Sequence, residues 1–236
     1  MKKTTTLLAA AMLVATPVIA AAPVVDAPAG SVEVKAVGKV RIFRGIPFAQ
    51  APVGPLRWKP PVALPAWQGV RKAQSFGAAC IQPRPTAIGI YTNPPAKASE
   101  DCLTLNIWAP EAAKDAPVIV WIHGGALTNG YSHEAMYDGA KLAARGAIIV
   151  SINYRLGALG YMAHPELSKE SPDGVSGNYG LLDQIAALEW VKANIGAFGG
   201  DANNVTIAGE SAGALSVMYL MTAPKARGLF HKAIAQ

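Results

Sequence analysis

Three short runs of apolar, mostly β-branched residues dominate the second half of the chain: Pro117–Ile122 (PVIVWI), Ala147–Ile152 (AIIVSI) and Val205–Ala208 (VTIA). Each is too short for a helix and lacks alternation, which fits strands buried on both faces. Helical patterns separate them. Asp138–Arg145 is helix-like and ends at Gly146, a natural stop. Leu181, Ile185, Leu188, Val191 and Ile195 form one apolar helical face over 180–195, with Gly196 after it. Ser211–Met221 reads as a further helix. Strand, helix and strand in alternation predict an α/β architecture: a mostly parallel sheet with helices on both faces. Ahead of this region, Leu103–Ala109 alternates like a strand. Val32–Val37 and Val40–Phe43 suit a hairpin turning at Gly38-Lys39. Residues 23–30 (PVVDAPAG) are expected to be a flexible leader. Residues 50–67, with five prolines and two tryptophans, suggest an irregular ordered stretch, and 83–97, with four prolines, a long loop. No internal repeat is visible.

Composition narrows the class. Of 236 residues, 51% are apolar and 15% charged, which excludes a disordered chain or a coiled coil. The net charge of +6 contains no basic run, so nucleic-acid binding has no support. Met1–Ala22 reads as a signal peptide: Lys2 and Lys3 form the positive end, Leu7–Ala15 the apolar run, and Ala20 or Ala21 the cleavage site. That run is too short to span a bilayer, and no later stretch of 18 apolar residues exists. The expectation is an exported protein, periplasmic or secreted, with no stable membrane anchor. In an oxidising compartment the two cysteines, Cys80 and Cys102, suggest one disulfide stabilising by about 3 kcal/mol. Two unrelated buried thiols are the alternative. No histidine has ligand spacing to either cysteine, so no metal site is expected.

The chemistry concentrates at Gly209-Glu210-Ser211-Ala212-Gly213, a G-x-S-x-G pattern that follows the strand VTIA and opens a helix. So tight a turn needs residues without bulk two before and two after the serine. It presents the Ser211 hydroxyl above the sheet edge, and the helix N–H groups, Ala212 first, point where negative charge would develop. A second element, His123-Gly124-Gly125-Ala126, directly follows the strand PVIVWI. A Gly-Gly pair there lets backbone N–H groups turn inward as oxyanion donors. His123 lies on this loop and is expected to orient it rather than act as a base.

With these elements in place the chain resembles the type-B carboxylesterases, the cholinesterase-like branch of the α/β-hydrolases. The resemblance runs from about Val40 to Gln236. It rests on FRGIPFA (43–49), SEDCLTLNIW (99–108), IHGGA (122–126), NYRLG (153–157), GNYGLLDQ (177–184) and FGGDANNVTIAGESAG (198–213). It implies Ser211 as nucleophile, an oxyanion hole from the N–H groups of Gly125, Ala126 and Ala212, and a Cys80–Cys102 disulfide. It also implies structural ion pairs Arg44–Glu100 and Arg155–Asp183. Glu210, Gly124 and His123 would stand immediately behind the reacting groups, with Glu210 alternatively an exposed acid that the turn tolerates. Ala126 and Leu127 depart from the family, where a glycine and an aromatic are common. The substrate implied is a small-molecule carboxylic ester, with no metal or organic cofactor.

A serine hydrolase also needs a base and an acid, in this fold after the serine in the order acid, then histidine. After Ser211 the sequence holds no Asp or Glu and one histidine, His231. His231 falls just before a further strand (AIAQ), a poor place for the base. The expectation is therefore that residues 23–236 are the N-terminal part of an esterase domain, truncated after the nucleophile helix and inactive alone. Rival readings are a non-catalytic cholinesterase-like binding protein, which the intact Ser211 argues against, and a peptidase or lactone hydrolase on the same fold.

Overall fold

A computed structural model describes residues 23–84, 89 and 93–236. Met1–Ala22, read above as a signal peptide, and part of the 83–97 loop lie outside the described residues. In chain order the strands are β1 (Val24–Ala27), β2 (Gly30–Glu33), β3 (Lys35–Val37), β4 (Val40–Pro47), β5 (Val70–Lys72), β6 (Thr104–Pro110) and β7 (Ala116–Ile122). Then come α1 (Ala140–Ala143), β8 (Ile148–Ile152), α2 (Gly157–Tyr161), α3 (Pro165–Glu170), α4 (Tyr179–Asn194), β9 (Gly200–Gly209), α5 (Ala212–Thr222) and β10 (Lys232–Ala235).

Among the described residues one seven-stranded sheet carries the fold, in the order β10-β9-β7-β8-β6-β4-β3. The strands β10, β9, β7 and β8 run parallel, while β6, β4 and β3 join by antiparallel pairings. The sheet is thus parallel on the side of the apolar runs and antiparallel on the side of the hairpin. Alternation divides the side chains between two faces. Val118, Val120 and Ile122 of β7, with Ile148, Val150 and Ile152 of β8, join the larger core with Ile185, Leu188 and Val191 of α4 and Val217 and Leu220 of α5. On the opposite face Ile42, Trp108 and Ile149 pack with Ala143 of α1. Helices therefore cover both faces, as the alternating pattern predicts.

Several local expectations change. Residues 23–30 are not a free leader. Val24–Ala27 pairs with β2 in a hairpin that forms a separate three-stranded sheet with β5. Ala29 N–H donates to Asn194 Oδ1 at 2.8 Å, and Trp67 Nε1 donates to Ser31 O at 3.0 Å, which ties this hairpin to α4 and to the proline-rich stretch. The helix at 138–145 contracts to the four residues of α1, with Asp138 Oδ1 accepting from Ala140 N–H at 2.8 Å. The long helix ends at Asn194, as the stop at Gly196 predicts to within two residues, and a 3-10 turn over Ile195–Phe198 that the sequence pattern did not predict follows it to Gly199, whose φ of 89° is left-handed.

Strand order sets where a site can form. Both neighbours of β7 in the sheet, β8 and β9, come later in the chain. They are reached by connections on opposite faces, through α1 and through α4. A crevice opens at the carboxyl ends of strands where the order reverses in this way. His123–Gly130 leaves β7 at that end, and Glu210-Ser211 leaves β9 there.

Candidate active site

The register pairs Ile122 with Gly209, so β7 and β9 end level and deliver their loops side by side. At the end of β9 the chain turns through Ser211 at φ 56°, ψ −118°, a conformation that L residues rarely hold. Close packing enforces it. A Cβ on Gly209 would lie 2.5 Å from the Gly213 carbonyl, and one on Gly213 would lie 2.1 Å from Ile122 O. Both glycines of the G-x-S-x-G pattern are thus fixed by the approach of β7 and α5. Ser211 N–H donates to Gln236 O at 2.8 Å, which braces the bend against the end of β10. The side chain of Ser211 is exposed and borders a cavity of about 220 Å³ with Gly124, Asn129, Glu134, Tyr137 and Glu210.

The loop after β7 presses against this bend. A Cβ on Gly124 would stand 2.8 Å from Glu210 O and 3.3 Å from Ser211 Cβ. Gly125, at φ 105°, leaves no room for a side chain because Asn129 O folds back to 2.1 Å from its Cβ position. Among the described residues the N–H groups of Gly125, Ala126 and Ala212 take no acceptor. Ala212 opens the 11-residue α5, so its N–H is one of the free donors at the positive end of a helix. The pattern is a serine-bearing bend with unpaired amides on the adjoining loop and helix.

His123 is buried and supports the loop from below. Its ring stacks on Tyr154 at 4.4 Å, its Nδ1–H donates to Gly124 O at 2.8 Å, and Tyr154 OH donates to His123 O at 2.7 Å. Burial pushes its pKa down to about 4, so the ring is neutral and its Nδ1–H is engaged by the loop. The other histidines are engaged elsewhere. His133 stacks on Phe76, and His164 accepts from Glu166 N–H at the start of α3. His231 accepts from Val205 N–H and donates its own N–H to Val205 O, six residues before Ser211. At 3.3 Å per strand residue that is roughly 15–20 Å from the serine.

The flanking pairs divide. Cys80 and Cys102 are joined by a disulfide with a Cα–Cα distance of 5.0 Å. Arg155 and Asp183 form a fully buried ion pair: Nη2 to Oδ1 at 2.7 Å, Nε to Oδ2 at 2.8 Å, and the Arg155 N–H to Oδ2 at 3.0 Å. Arg44 does not pair with Glu100. Glu100 accepts from Arg57 Nε at 2.5 Å and from Arg57 Nη2 at 2.6 Å. Arg44 lies in an irregularity of the β4–β6 ladder between Phe43 and Ile46, and its guanidinium stands over Phe76 at 4.5 Å. Such bulges re-aim a side chain. Glu210 is half-buried at the cavity wall beside Glu134. No sequence motif marks Glu134. Burial raises its pKa, and the Tyr131 backbone opposes the rise. Among the described residues no group of His, Cys, Asp and Glu is arranged to hold a metal ion, and no helix is long and apolar enough to cross a membrane.

A mixed sheet with helices on both faces and a serine bend after β9 is the α/β-hydrolase fold. Its solved relatives agree: a thermophilic PNB esterase superposes with a TM-score of 0.83 at 46% identity, over 90% of this chain and 43% of its own. The chain belongs to the carboxylesterase family, whose model matches residues 21–236. It is similar to the fumonisin B1 esterase of Sphingopyxis macrogoltabida, 49% identical over 201 residues, covering 84% of this chain and 37% of that protein. It is also similar to the para-nitrobenzyl esterase of Bacillus subtilis (strain 168), 47% identical over 199 residues, 84% of this chain and 40% of that protein. The chain thus spans about two fifths of the length of the curated relatives it matches.

Proposed function

We propose that this chain supplies the nucleophile and the oxyanion hole of an exported serine carboxylesterase. The observation that carries the reading is Ser211 exposed on a left-handed bend that borders a cavity with Gly124 and Gly125, while the N–H groups of Gly125, Ala126 and Ala212 are unpaired among the described residues. Ser211 Oγ attacks the ester carbonyl carbon, and the carbonyl electron pair moves to oxygen, which those amides receive. The tetrahedral intermediate expels the alcohol and leaves an acyl-serine. Water then attacks the acyl carbon, releases the carboxylic acid and restores the hydroxyl.

The base that takes the Ser211 proton comes from beyond residue 236, together with its orienting acid. Support for this is that the described contacts of the four histidines are with Gly124, Phe76, Glu166 and Val205, none with Ser211, and that the relatives it matches are more than twice its length. On this reading the 236 residues alone are inactive. The Cys80–Cys102 disulfide favours export. The test is Ser211→Ala in the protein that carries this chain, with hydrolysis of p-nitrophenyl esters measured. Loss of turnover on the order of 10⁵-fold or more supports the reading. Retained turnover refutes it, and wild-type protein that binds esters without turning them over favours a non-catalytic binding role.

A further inference from the structure

The stretch from His123 to Gly130 contains no helix or strand, and four of its residues, Gly125, Ala126, Leu127 and Gly130, sit at φ of 105°, 55°, 60° and 100°. Two of these four carry a Cβ. A run like this persists only where its surroundings over-determine it. At the near end His123 Nδ1–H binds Gly124 O, and Gly125 O accepts from Thr128 and Asn129 N–H at 3.0 Å each. In the middle, Gly157 N–H donates to Leu127 O at 2.7 Å.

At the far end one side chain takes both main-chain groups of Gly130. Gln82 Oε1 accepts from Gly130 N–H at 2.9 Å, and Gln82 Nε2 donates to Gly130 O at 2.9 Å. The same Nε2 donates to Cys80 O at 3.1 Å, which sets the orientation of the carboxamide. Asn153 braces the neighbouring residues: its Nδ2 donates to Ala78 O and Cys102 O, and its Oδ1 accepts from Ser132 N–H. The far limb of the loop is therefore fastened to the segment around the disulfide. A carboxamide suits Gly130 because it sets one donor and one acceptor side by side in a plane, facing the N–H and C=O of one residue.

We propose that Gln82 is a positioning residue for the oxyanion hole. Its carboxamide fixes Gly130, and through it the height of the Gly125 and Ala126 amides beside Ser211, and the Cys80–Cys102 disulfide anchors it. This rests on the reading of those amides as oxyanion donors. Gln82 touches no substrate and moves no proton. Without it the donors remain but lose their aim, so the loss is smaller than the 10²–10³-fold of deleting a donor.

The test uses Gln82→Leu and Gln82→Glu in the protein that carries this chain. In Gln82→Leu, amide hydrogen exchange over residues 124–130 rises at least about tenfold while β7 and β9 keep their protection. The value of kcat falls about 10- to 100-fold with KM within about threefold. Gln82→Glu keeps the acceptor for Gly130 N–H and loses the donor. Its activity relative to wild type recovers as pH falls from 8 to 5 and the new carboxyl regains a proton. If Gln82→Leu does not fold, this recovery carries the test. Unchanged exchange in Gln82→Leu, a kcat within about twofold of wild type, or a flat pH ratio for Gln82→Glu overturns the proposal. Failure of the underlying reading looks different: Ser211→Ala then keeps wild-type turnover.

Discussion

Replacing Gly213 with alanine tests the geometry of the serine bend. The new Cβ would lie 2.1 Å from Ile122 O and 3.0 Å from His123 O, both main-chain oxygens at the end of β7. An ordinary contact requires a shift of roughly 1 Å. The backbone there has little freedom, because β7 is hydrogen-bonded to β8 on one side and β9 on the other. Overpacking of this kind costs about 1–3 kcal/mol, and a clash with fixed backbone belongs at the upper end, about 3 kcal/mol. In a domain of this size that lowers Tm by about 6–12 °C. The same shift moves Ala212 N–H and the Gly124-Gly125 loop relative to Ser211 Oγ, and a 1 Å misplacement slows reaction about 10²-fold. Calorimetry and the rate of serine phosphonylation read the two effects. Gly196→Ala is the control, since nothing lies within 4 Å of its added Cβ. A Gly213→Ala protein with unchanged Tm and unchanged serine reactivity refutes the argument.

Two further predictions follow from buried groups. His123 has its pKa lowered to about 4 by burial, against an ordinary value near 6.5. The folded protein therefore resists protonation there. The contribution is whole above pH 6.5 and is lost as pH falls toward 4, with about 2 kcal/mol gone by pH 5. Urea unfolding at pH 7 and pH 5 should show this slope, reduced in His123→Gln, and an identical slope in the variant contradicts the assignment. Asp183→Asn leaves the buried Arg155 without its counter-charge and should destabilise by about 3–5 kcal/mol. Arg57→Gln removes a half-buried pair that solvent still reaches and should cost well under half as much, so comparable losses in both would be a failure of this distinction.

What was legible in the sequence follows from range. The strands PVIVWI, AIIVSI and VTIA, the face of α4 and the serine bend are written in neighbouring residues, and each stands in the structure as β7, β8, β9, α4 and the turn at Ser211. Features set by distant partners were not legible. The β1–β2 hairpin looked like free chain because its anchors, Asn194 and Trp67, are far away in sequence. The 3-10 turn over Ile195–Phe198 after α4 was not legible because burial of Ile195 and Phe198 in the core holds it. Glu100 found Arg57 instead of Arg44 because a bulge turned Arg44 toward Phe76. At the site, Ser211 and its glycines announce themselves. Gln82 and Glu134 do not, since only folding brings Gln82 to Gly130 and brings Gly130 and Glu134 to the cavity that Ser211 borders.

The most direct measurement is peptide mapping by mass spectrometry after a fluorophosphonate is added to the protein that carries this chain. One equivalent of covalent adduct on Ser211, with the unlabelled Ser211→Ala protein as reference, is the expected result. An adduct on any other residue, or labelling that persists in Ser211→Ala, contradicts it.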